Sequence, residues 1–252
     1  MKKIFIAGNW KMNTRPDQAE NLVKDILFGL QDKKINSEII VCPPFTNLYH
    51  VSKIIGGSKI KLGAQNCFYE TQGAFTGEIS IPMLKYFNVE YIIVGHSERR
   101  TYFGETDELI NKKVKAILEN NIKPIICIGE TLTERQQGRT YEILFNQLDK
   151  CLKDLTTDEL KNLIIAYEPV WAIGTGISAT KEAHNKIKEY IGKLFNVSNN
   201  DIVLQYGGSV TAQNSNEILS IENVNGALIG GASLKSDIFL KIIEIAETIV
   251  KS

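Results

Sequence analysis

Short apolar runs alternate with amphipathic stretches along this chain of 252 residues, and this alternation most constrains its fold. The runs are almost continuously apolar and rich in β-branched residues, as expected for strands buried on both faces of a parallel sheet. Between them, apolar residues recur three or four positions apart, as on the core-facing side of a helix. The eight predicted strands are Ile4–Ala7, Glu38–Cys42, Ile60–Gly63, Tyr91–Gly95, Ile125–Gly129, Leu163–Glu168, Ile202–Tyr206 and Ala227–Gly230.

Eight β–α repeats in a chain of this length favour a closed (β/α)8 barrel, the TIM barrel of the α/β class. An open doubly wound sheet fits less well, because such sheets usually carry a G-x-G-x-x-G motif after the first strand and none follows it here. No linker-like stretch rich in Gly, Ser or Pro divides the sequence. We therefore expect a single domain over residues 1–252.

Composition narrows the function classes. The 29 basic and 29 acidic residues balance, so no bulk charge favours nucleic acid or an anionic membrane as a partner. The four cysteines form no C-x-x-C pair and, with three scattered histidines, no zinc pattern, so we expect reduced thiols and no metal site. No apolar stretch approaches the ~18 residues of a membrane span. The first residues read as a strand rather than a signal peptide, and we expect a cytoplasmic protein.

Glu168 ends the sixth predicted strand, and Pro169 follows it directly. Proline cannot donate to a strand ladder, so the strand must stop there. The stiff Pro-Val-Trp segment then gives way to Gly174-Thr-Gly176, a combination that suits a moving lid. A carboxylate at a strand end beside a lid indicates chemistry that must be shielded from water. Taken alone, a glutamate in such a segment is more often a surface acid before an ordinary loop.

Polar residues also follow the other predicted strands, and in a barrel all these strand ends share one rim. Each segment is ordinary by itself, since a lone lysine is usually solvated and a lone histidine is more often structural than catalytic. Their convergence on one rim predicts a functional site. The polar and glycine residues placed there are Asn9, Lys11, Gln65, His96, Ser97, Glu98, Arg99, Glu168, Ser209, Gly230 and Gly231.

Eight segments spread in order over nearly the whole chain resemble the triosephosphate isomerase family. The resemblance implies an isomerase that interconverts dihydroxyacetone phosphate and D-glyceraldehyde 3-phosphate through an enediolate, in glycolysis and gluconeogenesis, without a metal or organic cofactor. One departure is Ile177, where the family usually has lysine after the Gly-Thr-Gly. The segments are GNWKMN at 8–13, CPPF at 42–45, GAQN at 63–66, GAFTGEIS at 73–80, VGHSERR at 94–100, AYEPVWAIGTG at 166–176, QYGGSV at 205–210 and GGASL at 230–234.

The resemblance implies a role for each catalytic residue. Glu168 is the base that moves the proton between two carbons. His96 is the electrophile, and Ser97 and Glu98 lie in the first turn of the helix that it opens. Because helix-terminal N–H groups disfavour an imidazolium, we expect a neutral ring that donates to the substrate carbonyl. Lys11 supplies positive charge for the developing oxyanion.

Two further roles surround this centre. Asn9 is expected to donate a hydrogen bond, and Glu98 to orient Lys11 rather than to shuttle protons. Backbone N–H groups grip the substrate phosphate, because glycine lets the chain approach closely and barrels commonly bind phosphate after strands 7 and 8. The expected phosphate-binding residues are Ser209, Gly230, Gly231 and, in the lid, Gly174.

The segment Phe68–Ile79 is a long loop for a compact domain, and such loops are usually functional. From the sequence alone it is a loop that needs a partner. The family resemblance implies a homodimer in which Thr76, at the loop tip, inserts into the neighbouring subunit near the Lys11 loop. Gln65, Glu78 and Arg99 are expected to brace that contact.

Two other function classes remain as alternatives. One is a phosphate-binding barrel enzyme that acts on a larger substrate, which a lid closing over a small volume disfavours. The other is a non-catalytic barrel used for binding, which would not need Lys11, His96 and Glu168 together.

Overall fold

The computed structural model describes residues 2–169 and 181–251, with the side chain of residue 251 excepted. Eight parallel strands close into a barrel in chain order, and β8 pairs with β1 to complete it. The predicted (β/α)8 architecture is confirmed. The strands are β1 (Phe5–Asn9), β2 (Glu38–Cys42), β3 (Ile60–Ala64), β4 (Val89–Val94), β5 (Lys123–Ile128), β6 (Ile164–Tyr167), β7 (Leu204–Tyr206) and β8 (Gly226–Ile229).

Helices surround the barrel, and several begin at side chains that satisfy the free N–H groups of a first turn. Thr106 accepts from the Leu109 N–H, and Thr131 and Thr156 each form a reciprocal capping box. The α-helices of the described chain are α1 (Pro16–Leu30), α2 (Leu48–Ile55), α3 (Ile81–Tyr86), α4 (Ser97–Phe103), α5 (Asp107–Glu119), α6 (Leu132–Gln136), α7 (Thr140–Cys151), α8 (Thr157–Leu160), α9 (Lys181–Phe195), α10 (Ser215–Ser220) and α11 (Ser236–Lys251).

The apolar residues form two cores, because successive strand side chains point to opposite faces. In β4, Tyr91 and Ile93 pack inside the barrel, whereas Ile92 and Val94 pack outward against the helices. All four residues are almost fully buried. Strands covered on both faces explain why the sequence runs are apolar rather than alternating.

The predicted strand positions hold, with shifts of a few residues at the ends. The prediction for β2 matches the observed bounds, whereas β6 ends at Tyr167 and leaves Glu168 just beyond it. Predicted from Ile202, β7 begins at Leu204 because a 3-10 turn, Asn199–Asp201, precedes it. The Ile202 N–H is used to close that turn.

The described residues contain neither a membrane-spanning helix nor a cluster of metal ligands. None of the described helices combines the length and apolarity needed to cross a bilayer. Within residues 2–169 and 181–251, no three His, Cys, Asp or Glu side chains are grouped so that they could hold a metal ion.

Candidate active site

A cavity of about 320 Å³ opens at the C-terminal ends of the barrel strands. Five strand ends contribute to it, those of β1, β4, β6, β7 and β8. The structure therefore brings together most of the residues that the sequence placed on one rim. The predicted site residues that line this front cavity are Asn9, Lys11, His96, Glu168, Ser209, Gly230 and Gly231.

Glu168 and His96 face each other in a nearly dry environment, with 2% and 6% of their surfaces exposed. Glu168 Oε1 lies 3.0 Å from His96 Nε2, and Glu168 Oε2 accepts from the Ser97 N–H at 3.0 Å. The Glu98 N–H donates to His96 Nδ1 at 3.3 Å. A neutral His96 ring in this geometry carries its proton on Nε2, directed at the carboxylate.

The contact couples the two pKa values. Burial lowers the pKa of His96, but the Glu168 carboxylate outweighs burial and raises that pKa above its ordinary value. Burial raises the pKa of Glu168, but the His96 ring and the Ser97 N–H together hold it below its ordinary value. The expectation of a low His96 pKa from helix-terminal donors is therefore wrong for this arrangement, because it omitted a carboxylate in contact with the ring.

Lys11 enters the cavity from the loop after β1, in a left-handed backbone conformation with φ of 52°. Its Nζ donates to Glu98 Oε1 at 2.7 Å, the contact expected of an orienting carboxylate. Asn9 Oδ1 accepts from the Lys11 N–H at 3.0 Å. Gln65 Nε2 donates to the carbonyl oxygens of Lys11 and Cys42, both at 2.9 Å. The lysine loop is thus fixed to the ends of three strands.

The segments after β7 and β8 bring backbone close to the cavity. Asn214 Nδ2 donates to the Ser209 carbonyl at 3.0 Å, and the Ser233 hydroxyl donates to the Gly230 carbonyl at 2.7 Å. A short 3-10 turn, Gly231–Leu234, begins at this point. Its first N–H groups lack intrahelical partners, as suits an anion site.

Two glycines leave room for the charged side chains. A Cβ on Gly207 would lie 2.6 Å from Glu168 Cγ, and a Cβ on Gly230 would lie 3.3 Å from Lys11 Cε. Because glycine has no side chain, positions 207 and 230 leave the space that the side chains of Glu168 and Lys11 occupy. The sequence marked these positions only as turns and phosphate contacts.

The lid segment, including Gly174 and Ile177, lies outside the described residues.

The residues assigned to subunit contact fall into two exposed loop residues, Thr76 and Glu78, and two half-buried residues, Gln65 and Arg99. The loop from 70 to 78, with Thr76 and Glu78, is exposed along its length. Its base is held where the Phe68 N–H donates to the Ile79 carbonyl at 2.8 Å. Of the bracing residues, Gln65 contacts the Lys11 loop as described, and Arg99 turns inward to Glu105.

Sequence reasoning missed a buried charged cluster behind the site. Glu105 Oε2 accepts from the Gly95 N–H at 3.0 Å, and Glu105 Oε1 binds Arg99 Nε at 3.3 Å and Lys113 Nζ. Lys113 Nζ also donates to Asn66 Oδ1 at 2.8 Å. The only available signal was a lysine on the buried face of α5, three residues after Ile110.

Comparison with known proteins agrees with this geometry. The triosephosphate isomerase family model matches residues 4–246. Triosephosphate isomerases of Carboxydothermus hydrogenoformans and Thermoanaerobacter pseudethanolicus are 48% and 47% identical to this chain, over 97% and 96% of it and 99% of each relative. The crystal structure of the Bartonella henselae enzyme superposes with a TM-score of 0.87 at 40% identity, covering 97% of this chain and 99% of that one. The chain belongs to the triosephosphate isomerase family.

Proposed function

We propose that this protein interconverts dihydroxyacetone phosphate and D-glyceraldehyde 3-phosphate by proton transfer through an enediolate. The observation that carries this proposal is the meeting of a lysine, a histidine and a glutamate at one cavity beside two glycine-rich backbone segments. Such an isomerisation needs a base for the carbon-bound proton, donors for two oxygens, fixed positive charge and a grip on a phosphate. The front cavity holds a group for each task.

In this proposal, Glu168 takes the proton from the substrate carbon, and the C–H electron pair becomes part of the enediolate. His96 Nε2–H donates to the substrate oxygens, and the Lys11 ammonium stabilises the charge that develops on them. Asn9 adds polar contact at the same edge. Low exposure of the acid and the histidine strengthens these interactions, since little water screens them.

The contact between Glu168 and His96 implies a first step of the reaction. Glu168 Oε1 lies 3.0 Å from His96 Nε2 and accepts the hydrogen bond from its N–H. In this arrangement, that N–H cannot donate to a substrate carbonyl. The carboxylate must leave the ring before His96 acts on substrate. Its departure also removes the group that raises the His96 pKa, which favours the neutral ring that the reaction needs.

Phosphate is proposed to bind at the N–H groups around Ser209, Gly230 and Gly231. A 3-10 turn begins at Gly231, and no side chain stands between this backbone and the cavity at the two glycines. Gly174 is proposed to add a donor from the lid segment. Binding energy from the phosphate then assists chemistry at the distant carbons.

A coupled assay tests the function. The protein should form glyceraldehyde 3-phosphate from dihydroxyacetone phosphate without added metal.

Glu168→Asp should fold but lose about 100-fold in kcat, because the carboxylate withdraws by about 1 Å. Lys11→Met should lose most activity, whereas Lys24→Met, which breaks a surface pair with Glu20 at 3.2 Å, should not. Near-normal turnover by Glu168→Asp would remove Glu168 as the base.

The same assay separates the alternatives. A barrel enzyme for larger sugar phosphates would turn over those substrates in preference to the triose phosphate. A non-catalytic barrel would bind triose phosphate without forming product. The volume of about 320 Å³ favours a small substrate.

We propose that the protein functions as a homodimer. Large apolar side chains are exposed in the loop after β1, in the 70–78 loop and in α3 and α4, and large exposed apolar patches are rare on isolated monomers. The loop is exposed along residues 70–78, and its Phe75 ring packs on Phe68 at its base, with ring centroids 4.6 Å apart. The exposed side chains are Met12, Phe75, Met83, Tyr86, Tyr102 and Phe103.

Association should be tied to activity, because Lys11 lies in a loop that the partner's loop is proposed to brace. Shortening the loop around Thr76 should give a folded monomer with low activity, measured by light scattering and the coupled assay. Phe28→Ser, at an apolar residue that is 79% exposed in α1 and belongs to none of these segments, is the matched control and should stay dimeric. A fully active monomer at low concentration would refute the coupling.

Three remaining assignments stay proposals: a single domain over residues 1–252, a cytoplasmic location, and a role in glycolysis and gluconeogenesis. The first is supported by the closure of β8 on β1, which joins both ends of the chain to one barrel.

A further inference from the structure

Gly129, the residue after β5, lies against the backbone of the proposed base. The Glu168 N–H donates to the Ile128 carbonyl at 2.7 Å, just beyond the last residue pair of the β5–β6 ladder. A Cβ on Gly129 would overlap the Glu168 carbonyl oxygen and would lie 2.7 Å from the Glu168 carbonyl carbon. The two backbone segments are therefore in direct contact, and a shift of Gly129 towards β6 would shift Glu168.

One side chain binds both backbone polar groups of Gly129. Gln147 Oε1 accepts from the Gly129 N–H at 2.8 Å, and Gln147 Nε2 donates to the Gly129 carbonyl at 3.1 Å. These bonds take the place of a strand ladder, because β5 ends at Ile128 and β6 ends at Tyr167. A carboxamide carries the one acceptor and the one donor that a backbone residue needs.

Gln147 belongs to α7, which packs against β5. The buried residues Leu144, Leu148 and Cys151 hold this helix against the core. Within the described part of the chain, both hydrogen bonds of the Gln147 side chain go to Gly129. Gly129 is thus fixed from a rigid element, as a site held within a fraction of an ångström requires.

We propose that Gln147 is a positioning residue for the base: it fixes Gly129, and Gly129 fixes the strand end from which the Glu168 side chain extends. The inference rests on the proposed isomerase function. In that function the carboxylate leaves the His96 ring by rotation of the Glu168 side chain, so the backbone must stay in place as the fixed end of the movement. Gln147 is not among the described residues that line the front cavity, and it acts through the backbone of residues 129 and 168.

Loss of the carboxamide should slow the chemical step more than it weakens substrate binding. Gln147→Met keeps the length of the side chain but removes both hydrogen bonds to Gly129. We expect kcat to fall by about tenfold or more, because small displacements of a base are costly, and KM for dihydroxyacetone phosphate to change by less than about twofold. KM is spared because, among the described residues, Gln147 makes no hydrogen bond to the segments after β7 and β8.

A second measurement does not depend on turnover. Burial lowers the pKa of His96, but the Glu168 carboxylate, 3.0 Å from the ring nitrogen, raises it above its ordinary value. A displaced Glu168 weakens that contact. Nitrogen-15 NMR should therefore show a pKa of His96 that is lower in Gln147→Met than in the wild type, by about 0.5 or more. A purely structural role for Gln147 would lower stability and leave this pKa unchanged.

Asn111 in α5 offers a matched control, because its carboxamide also binds the backbone at two points. Asn111 Nδ2 donates to the carbonyl oxygens of Cys151 and Lys153, at 2.9 and 3.0 Å. Asn111→Leu removes the same number of hydrogen bonds and should lower stability to urea to a similar extent. Its kcat should change by less than about twofold, and its His96 pKa should equal that of the wild type.

Several outcomes would overturn the proposal: wild-type kcat in Gln147→Met, an unchanged His96 pKa, or a loss of activity carried by KM alone. An equal fall of kcat in Asn111→Leu would do the same, because the loss would then follow stability rather than position. If Gln147→Met fails to fold, Gln147→Asn carries the test, since its carboxamide is one methylene too short for both bonds. A wild-type protein that forms no product contradicts the proposed function, whereas normal wild-type turnover with unaffected variants contradicts only the role of Gln147.

Discussion

At the scale of single residues, the site contains one contact that the proposed reaction must break, between His96 and Glu168. His96 and Glu168 are both buried, and neither would keep its charge there without a partner. Each therefore supplies the hydrogen-bond partner that the other needs. The same contact explains why helix-terminal donors alone gave the wrong pKa direction for His96: the nearest charge lies on another strand.

Removing the carboxylate should reverse the His96 shift. In the wild-type protein without substrate, the pKa of His96 should lie above the usual value of about 6.5, and in Glu168→Gln it should fall below that value, because burial then acts almost alone. Nitrogen-15 NMR of the imidazole measures both. Glu98→Gln is the control, since Glu98 Oε2 is more distant from the ring, at 3.6 Å from Nδ1, and should shift the pKa less. Equal shifts in both variants would count against the pairing.

The residues around this contact show which parts of the site could be predicted. The polar residues at the strand ends were identifiable because parallel strands bring their C-terminal ends to one rim. Two other features could not be identified from the sequence: the hydrogen bond from Gln65 to the Lys11 loop, and the space that Gly207 leaves for Glu168. Both depend on which strands are neighbours and on distances of a few ångströms, which sequence spacing does not contain.

At the scale of elements, strand positions were predictable because burial on both faces makes each strand an apolar run. The residues at which the strands begin and end were harder to predict. Leu163 and Ile202 look like strand residues, yet β6 starts one residue later and β7 two residues later. The Ile202 N–H is used in a turn, and an apolar side chain gives no sign of how its own backbone is hydrogen-bonded.

The buried cluster of Glu105 and Lys113 joins the residues after β4 and α5 to Asn66 just after β3, and its only sign in the sequence was Lys113 on the buried face of α5. Glu105 holds the Gly95 N–H next to His96, so the cluster also fixes the start of the histidine segment. Burial raises the pKa of Glu105, but Lys113 and Arg99 outweigh burial and hold that pKa below its ordinary value.

A double-mutant cycle should reveal this pairing. Glu105→Gln should lower the unfolding free energy by about 3–5 kcal/mol, because it leaves the buried Lys113 ammonium without a carboxylate. Lys113→Met should cost less than Glu105→Gln, because Glu105 keeps its contact with Arg99 at 3.3 Å. The double variant should be less destabilised than the sum of the two. Urea unfolding measures all three proteins against the wild type. Additive losses would show that the two side chains do not stabilise each other.

At the scale of the whole molecule, closure of the barrel joins the two ends of the chain. β1 pairs with both β2 and β8, and α11 packs against α1 and α10. The number of repeats predicted this closure, because eight β–α units are the usual content of a closed barrel. The contacts that fasten the last helix were not predictable.

One such contact is made by Glu247 in α11. Its carboxylate accepts from the N–H groups of Asn36 and Ser37, at 2.9 and 2.7 Å, and from the Ser37 hydroxyl at 2.5 Å. The side chain thus attaches the C-terminal helix to the segment just before β2. Burial raises the pKa of Glu247, but the hydrogen bonds from Ser37 and Asn36 outweigh burial and lower it below its ordinary value.

Glu247→Gln should therefore destabilise the whole barrel in a pH-dependent way. At pH 7 it should lower the unfolding free energy by about 1.5–3 kcal/mol, the range for hydrogen bonds to a charged group. Because the folded pKa is lowered, this contribution is complete above the unfolded pKa of about 4.3 and is lost as the pH falls through the folded pKa. The difference from the wild type should shrink accordingly in acid. The control is Glu244→Gln in the same helix, which removes a surface pair with Lys33 at 2.8 Å and should cost at most about 1 kcal/mol.

Chemical denaturation followed by both fluorescence and circular dichroism should give one coincident transition for each protein, because α11 and β2 belong to the same closed barrel. Two separate transitions would contradict the single domain, and a pH-independent loss in Glu247→Gln would show that the carboxylate charge is not what holds α11 in place.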